Sequence, residues 1–299
     1  MPPGPYDHVR ASRDGARLAI GTDDGREAIV WIYEVAGKTA MRRLTFGGQN
    51  RLPIWSPDGR RVAFQSDRDG GDLGLFAQNT DGTGAVERLT KAQQGEAHLP
   101  ESWSPDGRYI LFSVRKGSGF SLQLLSLGDK KADPYGGVES AIPTGAVFSP
   151  DGRWVAYAFN PGLGLISPNS GVYVQPFPAT GARYQVPKQE QSINFHPVWS
   201  PKGAELVYVR SAGSGQMAAV NVTMQPALTF GNPVNLPARV SAGRTNGQMR
   251  AHDVMPDGRF VGLVPASEAE SSGALGSSGA QMRVVLNWFD ELKARVPVQ

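Results

Sequence analysis

Trp55-Ser56-Pro57-Asp58-Gly59, followed by Arg60-Arg61-Val62-Ala63-Phe64, is the phrase on which the fold of this chain turns. It returns as Trp103-Ser104-Pro105-Asp106-Gly107 before Arg108-Tyr109-Ile110-Leu111-Phe112. It returns again as Phe148-Ser149-Pro150-Asp151-Gly152 before Arg153-Trp154-Val155-Ala156-Tyr157. Looser copies are Ala11-Ser12-Arg13-Asp14-Gly15, Trp199-Ser200-Pro201-Lys202-Gly203 and Val254-Met255-Pro256-Asp257-Gly258. The Asp or Lys falls at 14, 58, 106, 151, 202 and 257, so the period drifts between 44 and 55 residues. A repeat of that length is one supersecondary unit used several times, and for β units it indicates propeller blades.

The phrase is a chain reversal. Proline presets φ for the second position of a type I turn, aspartate suits the third, and glycine takes the left-handed conformation that follows. Serine at the first position can cap the turn through its hydroxyl. An aromatic residue precedes the turn and a Val-Ala-Phe type alternation follows it, both suited to a packed sheet. Asp14, Gly15, Asp58, Gly59, Asp106, Gly107, Asp151, Gly152, Gly203, Asp257 and Gly258 are therefore read as structural turn residues joining the first and second strands of each blade.

Composition bounds the rest. The chain has 299 residues, 37 glycines, 23 prolines and 40% hydrophobic residues, which suits a single domain rich in tight turns. The net charge of +3 is small and no dense Lys/Arg stripe appears, so nucleic acid is not expected as a partner. No apolar run is long enough to span a membrane, so insertion by this segment is not expected. Cysteine is absent, which removes disulfides and thiolate metal sites. Met1-Pro2-Pro3-Gly4-Pro5 has neither the basic start nor the apolar core of an export signal.

The expectation is an all-β, six-bladed β-propeller with a short C-terminal helix. One domain covers 1–299, with blades near 6–45, 46–90, 91–138, 139–187, 188–240 and 241–286 and a helix over 287–295, where Asn287 can cap. Arg-Leu-Thr at 43–45 and again at 88–90 marks the outer strands of the first two blades. The outer strand of the third, near Pro134-Tyr135, is poorly marked. That of the fifth lies somewhere in Leu228 to Leu236, and Ala266 to Ala280 reads as a Ser/Gly-rich loop. The sixth blade offers three strands, near Ala251 to Met255, Phe260 to Leu263 and Met282 to Leu286. It therefore lacks an outer strand, which is expected from residues upstream of Tyr6. The chain is read as a fragment or trimmed product.

On these residues the chain resembles the WD-like propeller repeats of the TolB type. It is most similar to the propeller that follows the membrane span in many bacterial serine/threonine protein kinases. Phe148 to Tyr157 with Val172-Tyr173-Val174-Gln175-Pro176-Phe177-Pro178 carries that similarity, as does Leu286-Asn287-Trp288-Phe289-Asp290-Glu291-Leu292. Arg13 and Lys202 depart from the Pro-Asp pattern, and no kinase segment is present. The resemblance implies a non-catalytic binding or scaffold module: the sensory or interaction part of a bacterial envelope or kinase-linked assembly. It also implies an extracytoplasmic location, a protein partner and no cofactor.

Neither a Gly-x-Ser-x-Gly elbow nor a His-Glu-x-x-His pair occurs, so the chain is not expected to be an enzyme. The alternative is a propeller lyase or hydrolase acting on a carbohydrate through a histidine or metal site at the channel mouth. His8, His196 and His252 are the candidate ligands. Each stands three residues before the aromatic-equivalent position of its repeat (Ala11, Trp199, Met255), in blades that are consecutive once the ring closes. They are expected on one rim of the channel with His98 apart. They hold a metal or anion, or else bond neighbouring backbone. Asp23-Asp24-Gly25 and Asp67 to Asp72 read as solvated turns, and Trp55, Trp103, Phe148 and Trp199 as packing between blades.

Overall fold

A computed structural model describes residues 4–37, 40–162, 167–188, 193–210, 215–239, 249–265 and 280–285. They form 24 strands, and no helix occurs among the described residues. Each copy of the turn phrase closes the first hairpin of a sheet. β1 (Tyr6–Ala11) pairs with β2 (Arg17–Asp23), β5 (Asn50–Trp55) with β6 (Arg61–Ser66), and β9 (Glu96–Trp103) with β10 (Tyr109–Lys116). β13 (Val147–Phe148), β17 (Phe195–Trp199) and β22 (His252–Val254) pair in the same way with β14 (Trp154–Phe159), β18 (Glu205–Val209) and β23 (Phe260–Pro265). All pairing within the sheets is antiparallel. The first strands touch one another in chain order and β22 returns to β1, which closes a ring around a channel.

The expectation of six blades finished by a terminal helix needs correction. Among the described residues five sheets have the four or more strands of a full blade, whereas β22-β23-β24 (β24 being Ala280–Val285) has three. The turn phrase marks only the first hairpin of a unit, so counting it counts hairpins and says nothing of outer strands. The helix expected over 287–295, like most of the 266–280 loop, lies outside the described residues. The third outer strand is not weak: β12 (Ala132–Ser140) is nine residues long. In the fifth sheet β20 (Thr229–Phe230) and β21 (Val234–Arg239) both pair with β19 (Gln216–Thr223).

The turn chemistry repeats in detail. The N–H of Gly59 donates to Ser56 O at 2.9 Å, and Gly107 and Gly152 do the same to Ser104 and Ser149. The serine hydroxyl donates to the aspartate at 2.6 Å in Ser56–Asp58 and Ser104–Asp106, and it accepts the N–H of the residue five positions on. The aspartate accepts the N–H two positions on. These hydroxyls, with the backbone donors, hold the Asp14 and Asp58 carboxyls below the usual range. The six turn glycines sit at φ between +66° and +86°. The outer-strand marker has an equally local cause. Thr45 and Thr90 accept the N–H of Val30 and Leu75 at 2.9 and 3.0 Å, while Leu44 and Leu89 are buried beside them.

The core is divided into slices between neighbouring sheets. Ala19, Val30, Trp55, Val62 and Phe64 fill the slice between the first two. Val9, Leu18, Ile20, Met255, Val261 and Leu263 fill the slice that joins the first sheet to the last. Burying such side chains contributes roughly 1.5–3 kcal/mol each, so ring closure rests on ordinary packing. The indole N–H of Trp55 donates to Arg10 O at 2.9 Å and that of Trp199 to Val147 O at 3.3 Å, tying each inner strand to its predecessor. The aromatic positions of the repeat therefore do pack between blades.

Candidate functional site

The hairpins gather their turns at one end of the channel. Trp55, Trp103, Phe148 and Trp199, with Pro57, Pro105, Pro150, Pro201 and Pro256, line a mouth of ≈ 350 Å³ there. The turns interlock around it. A Cβ on Gly107 would lie 3.6 Å from Pro57 Cγ, and on Gly152 or Gly203 3.6 Å from Pro105 or Pro150 Cδ. A Cβ on Gly15 would lie only 3.1 Å from Pro256 Cδ, so the collar closes from the last repeat onto the first. Where other repeats carry proline, the first carries Arg13, which reaches to the carbonyl of Pro105 at 3.3 Å.

Below this collar the inner strands bring charge into the channel. Arg10 and Arg250 are 6% and 5% exposed and both line the mouth. Arg10 Nη1 donates to Val9 O at 2.7 Å and to Arg250 O at 2.8 Å, and Arg250 Nη1 donates to Pro197 O at 3.0 Å. The Nε of each is buried without a hydrogen-bond partner. Burial, and then the like charge of Arg250, pull Arg10 down to about 9, and burial lowers Arg250 as well. Asp253 lies 3.9 Å from Arg250 Nη2 and accepts the N–H groups of Ala11 and Val254. Glu101 is enclosed on the same floor. It accepts from Ser113 Oγ at 2.6 Å, Thr144 Oγ1 at 2.6 Å and Ala146 N–H at 2.5 Å, yet burial still pushes its carboxyl up.

Four of the inner strands carry a register shift against their partner just before the mouth: β1, β5, β9 and β17. Such a bulge re-aims a side chain. His196 and Leu52, each followed by proline, stand there at φ +57° and +58°. A non-glycine residue in that region is uncommon and costs of order 1–3 kcal/mol.

The three histidines are all buried in the inner strands, two of them close together. The His196 and His252 rings are 6.4 Å apart between centroids. His8 Nδ1 is 3.0 Å from Asp7 Oδ1, at ion-pair distance but without hydrogen-bond geometry. Burial, then Arg250, Arg10 and His8, pull His196 down to about 3, and burial with the same arginines holds His252 well below its ordinary value. These rings are neutral at pH 7. The register of His252 differs from the expected one. Gly258 N–H donates to Met255 O as Gly59 does to Ser56 O, so Met255 occupies the serine position and Val254 the aromatic one. His252 thus stands two residues before that position, in register with Glu101. His98 has other partners, Thr90 Oγ1 at 2.7 Å and the Phe112 ring at 5.0 Å. Among the described residues no group of three His, Asp or Glu side chains is placed to hold a metal ion.

Sequence reasoning missed Arg10, Arg250, Asp253 and Glu101. One signal was available. Aligned on the turn, the position before the aromatic reads Arg10, Ile54, Ser102, Val147, Val198 and Asp253. Opposite charges in a column that faces a channel stand out once the repeats are stacked.

Residues 9–160 match the family described as the TolB beta propeller domain. A curated relative, the "Uncharacterized peptidase YuxL" of Bacillus subtilis (strain 168), is 33% identical over 150 residues, which is 50% of this chain and 21% of the relative. The chain thus matches about a fifth of that protein's length. The crystal structure of TolB from Acinetobacter baumannii superposes with a TM-score of 0.67 at 18% identity, over 93% of this chain and 65% of that one. An oligogalacturonate lyase in complex with manganese superposes with a TM-score of 0.59 at 15% identity, over 90% and 73%. The expectation that the chain is not an enzyme is contradicted by the curated relative, which is named as a peptidase and is 33% identical over half of this chain. The absence of a nucleophile elbow bears only on catalytic residues and says nothing of kinship to an enzyme.

Proposed function

This chain belongs to the TolB β-propeller domain family, and on that premise we propose that it is the substrate-receiving part of a peptide-acting enzyme, its channel mouth being the port where an extended peptide docks. One observation carries the reading: a ring of Trp, Phe and Pro side chains surrounds a ≈ 350 Å³ mouth with buried arginines on its floor. Extended, proline-rich segments dock against aromatic-lined grooves because their backbone is already ordered. The YuxL relationship supports a peptide over other ligands. The TolB kinship supports work outside the cytoplasm. Among the described residues no helix is long and apolar enough to cross a membrane. The carbohydrate reading called on a histidine or metal site at His8, His196 and His252, and among the described residues no group of three such side chains is placed to hold a metal ion.

Fluorescence anisotropy tests the port. A fluorescein-labelled peptide of about eight alternating alanine and proline residues should bind saturably, and a glycine–serine peptide of equal length about tenfold more weakly, the scale of a lost aromatic anchor. Trp103→Ala should weaken the first by a similar factor. Equal affinity for the two peptides, or no saturable binding, overturns the proposal.

A further inference from the structure

Resting on the peptide-port reading, we propose that the floor of the mouth reads the free carboxylate at a peptide's C-terminus, with Arg10 and Arg250 as its donors. The argument is an inventory of donors and acceptors. Both guanidiniums are more than nine-tenths buried, both line the mouth, and the Nε–H of each has no partner. A guanidinium only donates, so the partner it calls for is an acceptor.

The two carboxylates on the floor are engaged, while ring nitrogens of the neighbouring His196 and His252 are, like the two Nε–H groups, without partners. Asp253 Oδ2 takes the N–H of Ala11 at 3.0 Å and Oδ1 that of Val254 at 3.1 Å. Both oxygens of Glu101 are held by Thr144, with Ser113 and Ala146 adding a donor to each side. These two carboxylates also limit the charge the floor accepts. In formal charge they already balance Arg10 and Arg250, which opposes a dianion such as phosphate more than it opposes a monoanion. A charge-assisted pair of N–H groups suits the two oxygens of a carboxylate. A chain entering end-on through the collar presents its terminus to the floor first.

The test compares three peptides of the alternating alanine–proline sequence, each labelled at the N-terminus: a free acid, a C-terminal amide, and an amide carrying one glutamate near its end. The free acid is expected to bind at least tenfold more tightly than both amides, and sodium acetate is expected to compete with it alone. In Arg250→Gln the ratio of acid to amide affinity should fall towards one. The wild-type comparison needs no variant to fold. If acid and plain amide bind equally, the carboxylate inference is wrong while the port stands. If the glutamate-bearing amide matches the acid, recognition of the terminus is wrong. If none of the three binds saturably, the port reading fails and takes this inference with it.

Discussion

At the residue scale the turn phrase works because each side chain has one local task. Serine and aspartate satisfy one another and three N–H groups, and glycine supplies the left-handed step. Gly107 at φ +77° meets nothing closer than 3.6 Å at its Cβ position, so Gly107→Ala is expected to cost about 1 kcal/mol from backbone strain alone. Gly107→Val should cost about 2 kcal/mol or more, since a β-branched residue resists that region further. Gly15→Ala should exceed Gly107→Ala, because its Cβ would press on Pro256 Cδ at 3.1 Å where the collar closes. Urea unfolding of the three variants checks the order. Equal midpoints for Gly15→Ala and Gly107→Ala would show that the turns do not interlock. These turns were legible in the sequence because their chemistry is complete within a few residues.

At the scale of the element, the inner strands hide titratable groups that the repeat pattern places but does not explain. His196 is neutral in the folded state with a pKa of about 3, against 6.5 as the ordinary value. Between those limits the unfolded chain binds the extra proton. Stability therefore falls as the pH is lowered from about 6.5, by ~1.4 kcal/mol per unit for this ring alone. His252 acts in the same direction. Glu101 acts oppositely, because its raised carboxyl takes up its proton earlier in the folded state than in the unfolded one. The turn aspartates Asp14 and Asp58, held low, lose their contribution only below about pH 4, near the ordinary 3.8. The urea midpoint should thus drop between pH 7 and pH 5, and His196→Gln should flatten that drop. An undiminished drop in His196→Gln would mean that this ring is not buried as described. The sequence brought His8, His196 and His252 forward by position alone. It misplaced His252 by one residue: in Val254-Met255-Pro256-Asp257-Gly258 the aromatic position falls on Val254 and the serine position on Met255. It passed over Arg10 and Arg250 because a lone arginine in or just before a strand reads as solvent-facing until the ring is closed.

For the whole molecule, ring order and closure were readable from six first hairpins, whereas the completeness of each sheet was not. Outer strands such as β4 (Arg42–Arg43), β8 (Glu87–Arg88) and β16 (Tyr184–Gln185) are two residues long and carry little pattern. The channel has two ends, and in the proposed port ligand enters at the end ringed by the turn phrases. Hydrogen–deuterium exchange with the free-acid alanine–proline peptide tests that commitment directly. Protection is expected in segments spanning 55–59, 103–107, 148–152 and 199–203 and in the strand carrying Arg10, with β4, β8 and β16 unchanged. Protection confined to the outer strands, or to the opposite end of the channel, would contradict it.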